Sequence, residues 1–434
     1  MRVVKGGTVT RLLEDTKIPA MFYAKQAFAN DRIAPEEIPG IVEREFARLG
    51  IGARVKPGMR VAVTAGSRGI RNIDVITRAI VDCVKARGAR PFIVPAMGSH
   101  GGATAQGQRD ILAGYGITEG TMGCEIRSSM ETVALGLSEQ GREVRIDRNA
   151  WEADGIIVSC RIKPHTPFRG RYESGICKML TVGLGKQSGA SVVHGEGVGK
   201  MAESIPDMAK VVLDTGKVLF ALPCIENAYD QTCRLEAVPA EAIMDREPGL
   251  LEYAKSRMPS ILVGQADVLI VDWIGKNFSG AGVDPNICGT FSTQYASGGL
   301  QVQRTCFLNL SPESHGNALG TGLANAITRK IFDVMDPEMM YANCITSTVL
   351  KTAGIPCVLA TDREAIQICL RTCTGHDAQN PKVVRIRNSA DIETVMLSKV
   401  YYKDVLEGRY PGLTAVSEPA PLCFDDEGNL STPI

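Results

Sequence analysis

Two α/β domains with parallel-rich sheets are what this sequence predicts. Two observations carry the prediction. Short apolar runs rich in Val and Ile alternate with longer stretches whose apolar residues recur at helical spacing. That is how strand–helix–strand units of a parallel sheet read in sequence. The alternation occurs in both halves of a chain of 434 residues, and one domain usually takes about 100–200.

In the first half, Arg60–Ala65 (RVAVTA) reads as a strand, Ile73–Ala86 as a helix and 91–95 (PFIVP) as the next strand. Further strands are expected at 155–160 (GIIVSC) and 219–223 (LFALP). In the second half, 267–273 (DVLIVDW) is a strand and 317–334 a helix. A short strand follows at 356–360, then a helix at Asp362–Thr372 capped by Asp362. A strand at 382–386 and a helix at 390–399 complete the pattern. The seam falls near 259–266, which divides the chain into an N-terminal α/β domain, 1–260, and a second α/β domain, 261–410. The tail, 411–434, is rich in Pro, Asp and Gly, and either crosses back over the first domain or is loose.

Composition narrows the function classes. The 48 Lys and Arg are balanced by 48 Asp and Glu, so there is no net basic charge to meet nucleic acid or an anionic membrane. No apolar run reaches the ~18–20 residues of a membrane span, and 1–13 lacks the apolar core and cleavage site of an export signal. The 13 cysteines are odd in number and scattered, which suits reduced core thiols better than disulfides. The cytoplasm is the expected compartment. A homo-oligomer stays open.

Ligands of open α/β sheets bind beyond the carboxyl ends of strands. Three loops sit there in the first half: Gly66-Ser67-Arg68-Gly69, Met97-Gly98-Ser99-His100-Gly101-Gly102, and Arg161-Ile162-Lys163-Pro164-His165-Thr166-Pro167-Phe168. A fourth segment carries Gly175-Ile176-Cys177-Lys178 and then Val193-His194-Gly195. The chain has only 5 histidines, and His100, His165 and His194 all lie in these segments. Imidazole ligates metals and carries protons near neutral pH.

Other features are weaker. Gly195-Glu196-Gly197-Val198-Gly199-Lys200 imitates a phosphate loop, but Met201 stands where a magnesium-binding hydroxyl belongs. Gly183-Leu184-Gly185-Lys186 fails in the same way at Gln187. Cys369 and Cys373 share a helix face as buried thiols, and Trp273 reads as packing. His315 lies just before a glycine-broken helix, where a helix-start or substrate-contact role is open.

These pieces resemble the lactate racemase family, the nickel-pincer-nucleotide-dependent 2-hydroxy acid racemases and epimerases. The matching parts are the Ser67-Arg68 loop, the 98–101 loop with His100, and His165 followed by Gly170, Ser174, Gly175 and Lys178. His194 stands 16 residues after Lys178, and 275–286 (GKNFSGAGVDPN) is similar in the second half. The resemblance implies an isomerase with a nickel pyridinium-3,5-bisthiocarboxylic acid mononucleotide, made by dedicated maturation enzymes. It implies that Lys178 is the residue tethered by a thioamide and His194 the nickel ligand. It makes His100 and His165 the flanking bases and Arg68 the residue that polarises the substrate oxygens. Ser67 and Gly175 fall in the cofactor-binding segments, and Lys276 is a second-domain substrate or cofactor contact; His315, from its own position, is a candidate substrate contact. Two departures stand out. Ala65 and Gly66 replace an acidic residue frequent before the arginine, and 13 residues separate His165 from Lys178, more than in the founding type. The longer gap leaves the tether at Lys178 open.

The chemistry suits these residues. A carbanion beside a carboxylate is poorly stabilised, whereas hydride removal gives a planar 2-keto acid that accepts hydride on either face. Two histidines provide a base for each enantiomer's hydroxyl, and an arginine clamps the oxygens. The polar second-half loops favour polar or polyhydroxy acids over lactate-like ones. The rival classes are a dehydrogenase or Schiff-base enzyme using Lys178, and a non-catalytic small-molecule binder. No Gly-x-Gly-x-x-Gly opens a helix in the first half.

Overall fold

The computed structural model describes residues 6–67 and 69–434, the side chain of Thr346 excepted. The chain divides into two compact units, Ala29–Met258 and Met1–Phe28 with Pro259–Ile434.

In the unit Ala29–Met258, the sheet runs Arg90–Pro95, Arg60–Ala65, Gly155–Arg161, Val218–Glu226 and Thr232–Leu235, with Val238–Pro239 also on Val218–Glu226. The first four strands are parallel, and the last two return antiparallel. Five of the six residues of RVAVTA are buried, as expected of a strand covered on both faces. The helix Ile73–Ala86 buries Ile76, Ile80 and Val84 along one stripe and turns the Arg78–Asp82 ion pair outward. Each such fully buried aliphatic side chain contributes about 1.5–3 kcal/mol.

From Arg60–Ala65 the chain moves to one side, to Arg90–Pro95, and later returns on the other side, at Gly155–Arg161. Such a reversal opens a crevice at the strands' carboxyl ends. Backbone register between Arg60–Ala65 and Gly155–Arg161 stops at Val63 and Ile157. Beyond it the Thr64 hydroxyl bridges the gap, donating to Ser159 O at 3.0 Å and accepting from Ser159 N at 2.9 Å.

The other unit has an eight-stranded sheet. Cys357–Leu359, Ala326–Thr328, Gln301–Leu310, Gln265–Ile274 and Val383–Asn388 are parallel. Asp391–Ser398, Met21–Gln26 and Leu413–Ala415 extend it antiparallel. Phe22, Ile274, Phe307, Ile327 and Val395 meet in its core.

The structure departs from the sequence expectation at five places, each for a local reason. The region 317–334 is a 3-10 turn at Thr321–Leu323, a strand at Ala326–Thr328 and a helical turn at Arg329–Phe332. Gly320 breaks it: its φ is +115°, and a Cβ there would meet Ala281 O at 2.0 Å. Residues 390–399 form the strand Asp391–Ser398. Asn388 Oδ1 accepts from Ala390 N at 2.8 Å and Asp391 N at 2.9 Å, closing a hairpin rather than starting a helix. The helix Asp362–Thr372 is capped by Thr361, whose hydroxyl accepts from Glu364 N at 3.1 Å. Met21–Gln26 lies between two strands of the Pro259–Ile434 sheet, not in a domain 1–260. The tail stays with that same sheet, through Leu413–Ala415, the Met21–Ala420 bridge and a hydrogen bond from Arg385 to Thr432 O.

All 13 cysteines are free thiols, and Cys369 and Cys373 are buried. Trp273, expected as packing, keeps 37 % of its surface exposed. Among the described residues no helix is long and apolar enough to cross a membrane.

Candidate active site

His100 ends the loop that leaves Arg90–Pro95. Its Nδ1 lies 2.8 Å from Met97 O. A carbonyl only accepts, so Nδ1 carries a proton, and in the neutral ring the lone pair lies on Nε2. The residue is exposed.

His165 lies in the loop after Gly155–Arg161. Its backbone N–H donates to Glu173 Oε2 at 2.7 Å. The Glu173 side chain is fully buried and also faces Lys255 Nζ at 3.2 Å and Arg169 Nη1 at 3.5 Å. The His165 ring rests on Phe168, centroids 4.5 Å apart. Its Nε2 meets Lys178 Nζ at 2.5 Å. One nitrogen of such a pair donates and the other accepts, so the pair holds at most one positive charge.

Lys178 closes the helical turn Ile176–Lys178, and a π-helical stretch, Met179–Gly183, follows. Leu184 N donates to Met179 O, five residues back, at 2.8 Å. π-turns are rare and occur frequently at functional sites. Glu247 anchors the start of the segment, its Oε2 accepting from Cys177 N at 2.9 Å. The carboxylate reaches that N–H only because Gly175 has no side chain: a Cβ there would meet Glu247 Oε1 at 2.1 Å. Burial pushes the Cys177 thiol well above the ordinary range, with the Glu247 carboxylate acting in the same direction.

Burial also raises the Glu247 carboxyl above its ordinary 4.5, against the pull of the Cys177 and Ile176 N–H groups. In the window above 4.5 the folded chain therefore keeps a proton that the unfolded chain releases, and stability falls as pH rises through it. Glu247→Gln removes this dependence. In thermal unfolding from about pH 4 to about pH 7, the wild type's Tm relative to the variant's should be highest at the acid end and decline upward. A gap that widens as pH rises contradicts the assignment.

His194 is the penultimate residue of the helix Lys186–Gly195. Its Nδ1 is buried without a hydrogen-bond partner among the described residues. Burial holds its pKa below the ordinary 6.5, and the charges of Lys178 and His100 push the same way. A neutral imidazole with an orphaned nitrogen is what a borderline or soft metal asks for. Among the described residues no group of three or more His, Cys, Asp or Glu could hold a metal.

Lys178 and His100 each act electrostatically on His194, and His165 is in contact with Lys178. Ser67 sits beside the strand reversal, its carbonyl accepting from Tyr115 Oη at 2.9 Å. Arg68 lies outside the described residues. Lys276 and His315 belong to the other unit, in loops after the adjacent strands Gln265–Ile274 and Gln301–Leu310. Lys276 N donates to Ser314 Oγ at 2.9 Å, and His315 closes a 3-10 turn with a left-handed φ of 48°. Glu173, Glu247, Gln108 and Lys186 were missed in the sequence, for a lone acid, amide or lysine has no local pattern that marks it as buried.

A family model described as a domain of unknown function, DUF362, matches residues 55–241. No curated protein sequence matches the chain. Among solved structures, a Thermotoga maritima protein from a structural genomics consortium aligns with a TM-score of 0.45 and 13% identity, over 65% of this chain and 72% of that one. The lactate racemase apoprotein of Thermoanaerobacterium thermosaccharolyticum aligns with a TM-score of 0.44 and 14% identity, over 85% of each chain.

Proposed function

We propose that this chain is a racemase or epimerase that inverts C2 of a 2-hydroxy carboxylic acid, removing a hydride to give a 2-keto acid and returning it to the other face. The observation that carries the reading is the convergence of His100, His165, Lys178 and His194 from separate segments. Their identities and the Lys178–His194 spacing are those of the motif set described above. Lys178 and His194 are the residues that would hold a nickel-pincer nucleotide, the first through its amine and the second through its neutral ring. When bound, that group supplies the acceptor that takes the hydride and gives it back.

The chain's own residues handle the proton. As the C2–H pair of electrons leaves, the hydroxyl proton passes to an imidazole and the carbonyl forms. His100 has its lone pair on Nε2, set by the Met97 carbonyl. His165 Nε2 is engaged by Lys178. Acylation of that amine would abolish its charge and release the ring nitrogen from this contact, so loading of Lys178 would prepare the second base. Arg68 is assigned the substrate oxygens by the family resemblance alone.

The test uses protein made together with the cofactor-building enzymes. Single enantiomers of lactate-like, dicarboxylic and sugar 2-hydroxy acids are supplied in D2O. Inversion with the original hydrogen retained at C2 is expected for one class. Deuterium at C2 would mean proton abstraction instead, and no inversion of any class would overturn the reading.

A further inference from the structure

We infer that Lys186 is a positioning residue whose buried ammonium, acting through Gln108, fixes the His100 loop against the helical segment that carries Lys178 and His194. Lys186 opens the helix Lys186–Gly195 that carries His194, and its side chain is 0 % exposed. It also takes a left-handed φ of 55°. A non-glycine residue in that region and an interior charge both cost stability, so they persist where the surroundings over-determine them.

The ammonium has three donors, and three acceptors surround it. They are Asp147 Oδ2 at 3.2 Å, Gln108 Oε1 at 3.0 Å and Pro95 O, at the end of the strand that leads into the His100 loop. Burial lowers the lysine and raises the aspartate, while each one's charge opposes the other's shift. Asp147 is tied back to the same segment, its N–H donating to Leu184 O at 2.7 Å.

Gln108 relays the contact. It is fully buried, and with Oε1 facing Lys186 its amide nitrogen points to the His100 loop. Nε2 donates to Gly98 O at 2.9 Å and to His100 O at 3.3 Å. The loop is pinned from its other side where Gly98 N donates to Gly183 O at 3.1 Å, at the end of the π-helical stretch. Lys186 and Gln108 therefore set where the His100 backbone lies, and with it the geometry that lets Met97 O select the His100 tautomer. The inference rests on the proposed activity only for its purpose; the geometry can be tested without it.

Two variants separate positioning from folding. Gln108→Leu cuts the relay and leaves the ion pair. Lys186→Met with Asp147→Asn removes both charges together, and Asn keeps the oxygen that accepts from Ala150 N at 2.9 Å. The readout is a long-range 1H–15N spectrum of the imidazoles, readily assigned with 5 histidines. In the wild type, His100 should show the Nδ1–H form. In both variants it should average between tautomers, and kcat of the loaded enzyme should fall by up to about 10²-fold. An unchanged His100 signature in folded Gln108→Leu overturns the inference, and that variant decides alone if the double variant does not fold. Failure of the racemase reading leaves the spectroscopic result standing.

Discussion

His100→Ala and His165→Ala should each lower kcat on the 2-hydroxy acid by about 10²–10⁴-fold, the range that general acid–base groups supply. Both directions of an enantiomer exchange should suffer equally. The equilibrium between mirror images is unity, so a variant cannot depress one kcat/KM without the other. The two replacements are not equivalent structurally. His100 is exposed, with Nδ1 on Met97 O. His165 packs on Phe168, and circular dichroism must accompany its kinetics. Full activity in both single variants ends the two-base assignment. Loss in only one would leave a single base acting on both enantiomers.

The sequence was most legible where a strand runs straight through the core. RVAVTA and GIIVSC stand out because both faces of a central parallel strand are buried, which leaves an unbroken apolar run. Strand polarity then places His100 and His165 on one rim. Reading failed where a turn decides. Asp391–Ser398 has apolar residues that suit a helix as well as a strand, and the Asn388 turn settles the matter. The mixed edge of the second sheet was hidden because Met21–Gln26 finds its partners hundreds of residues away. At the site, the histidines and Lys178 were visible by their rarity and spacing. The parts that hold them were not. Glu173, Glu247 and Lys186 act from the interior, and only the fold shows that a charge is buried and what it meets.

Lys178→Ala should remove both covalent mass and most of the nickel from protein made with working maturation enzymes. Wild type should carry about one nickel per chain, with a mass increment that survives denaturation and disappears in the variant. His194→Ala separates the two contributions. Removing a metal ligand should weaken nickel retention by at least the about 10–100-fold that loss of an outer partner costs, while the increment on Lys178 persists. His165→Ala gives a third pattern: mass and nickel kept, turnover lost. Nickel without a mass increment would keep the reaction class and make the cofactor non-covalent, a result the 13-residue spacing of His165 and Lys178 leaves room for. Neither nickel nor added mass would turn attention to the amine itself. Lys178 beside His165 Nε2 at 2.5 Å then resembles a nucleophile next to its base, and borohydride trapping of a carbonyl substrate on Lys178 would identify a Schiff-base enzyme.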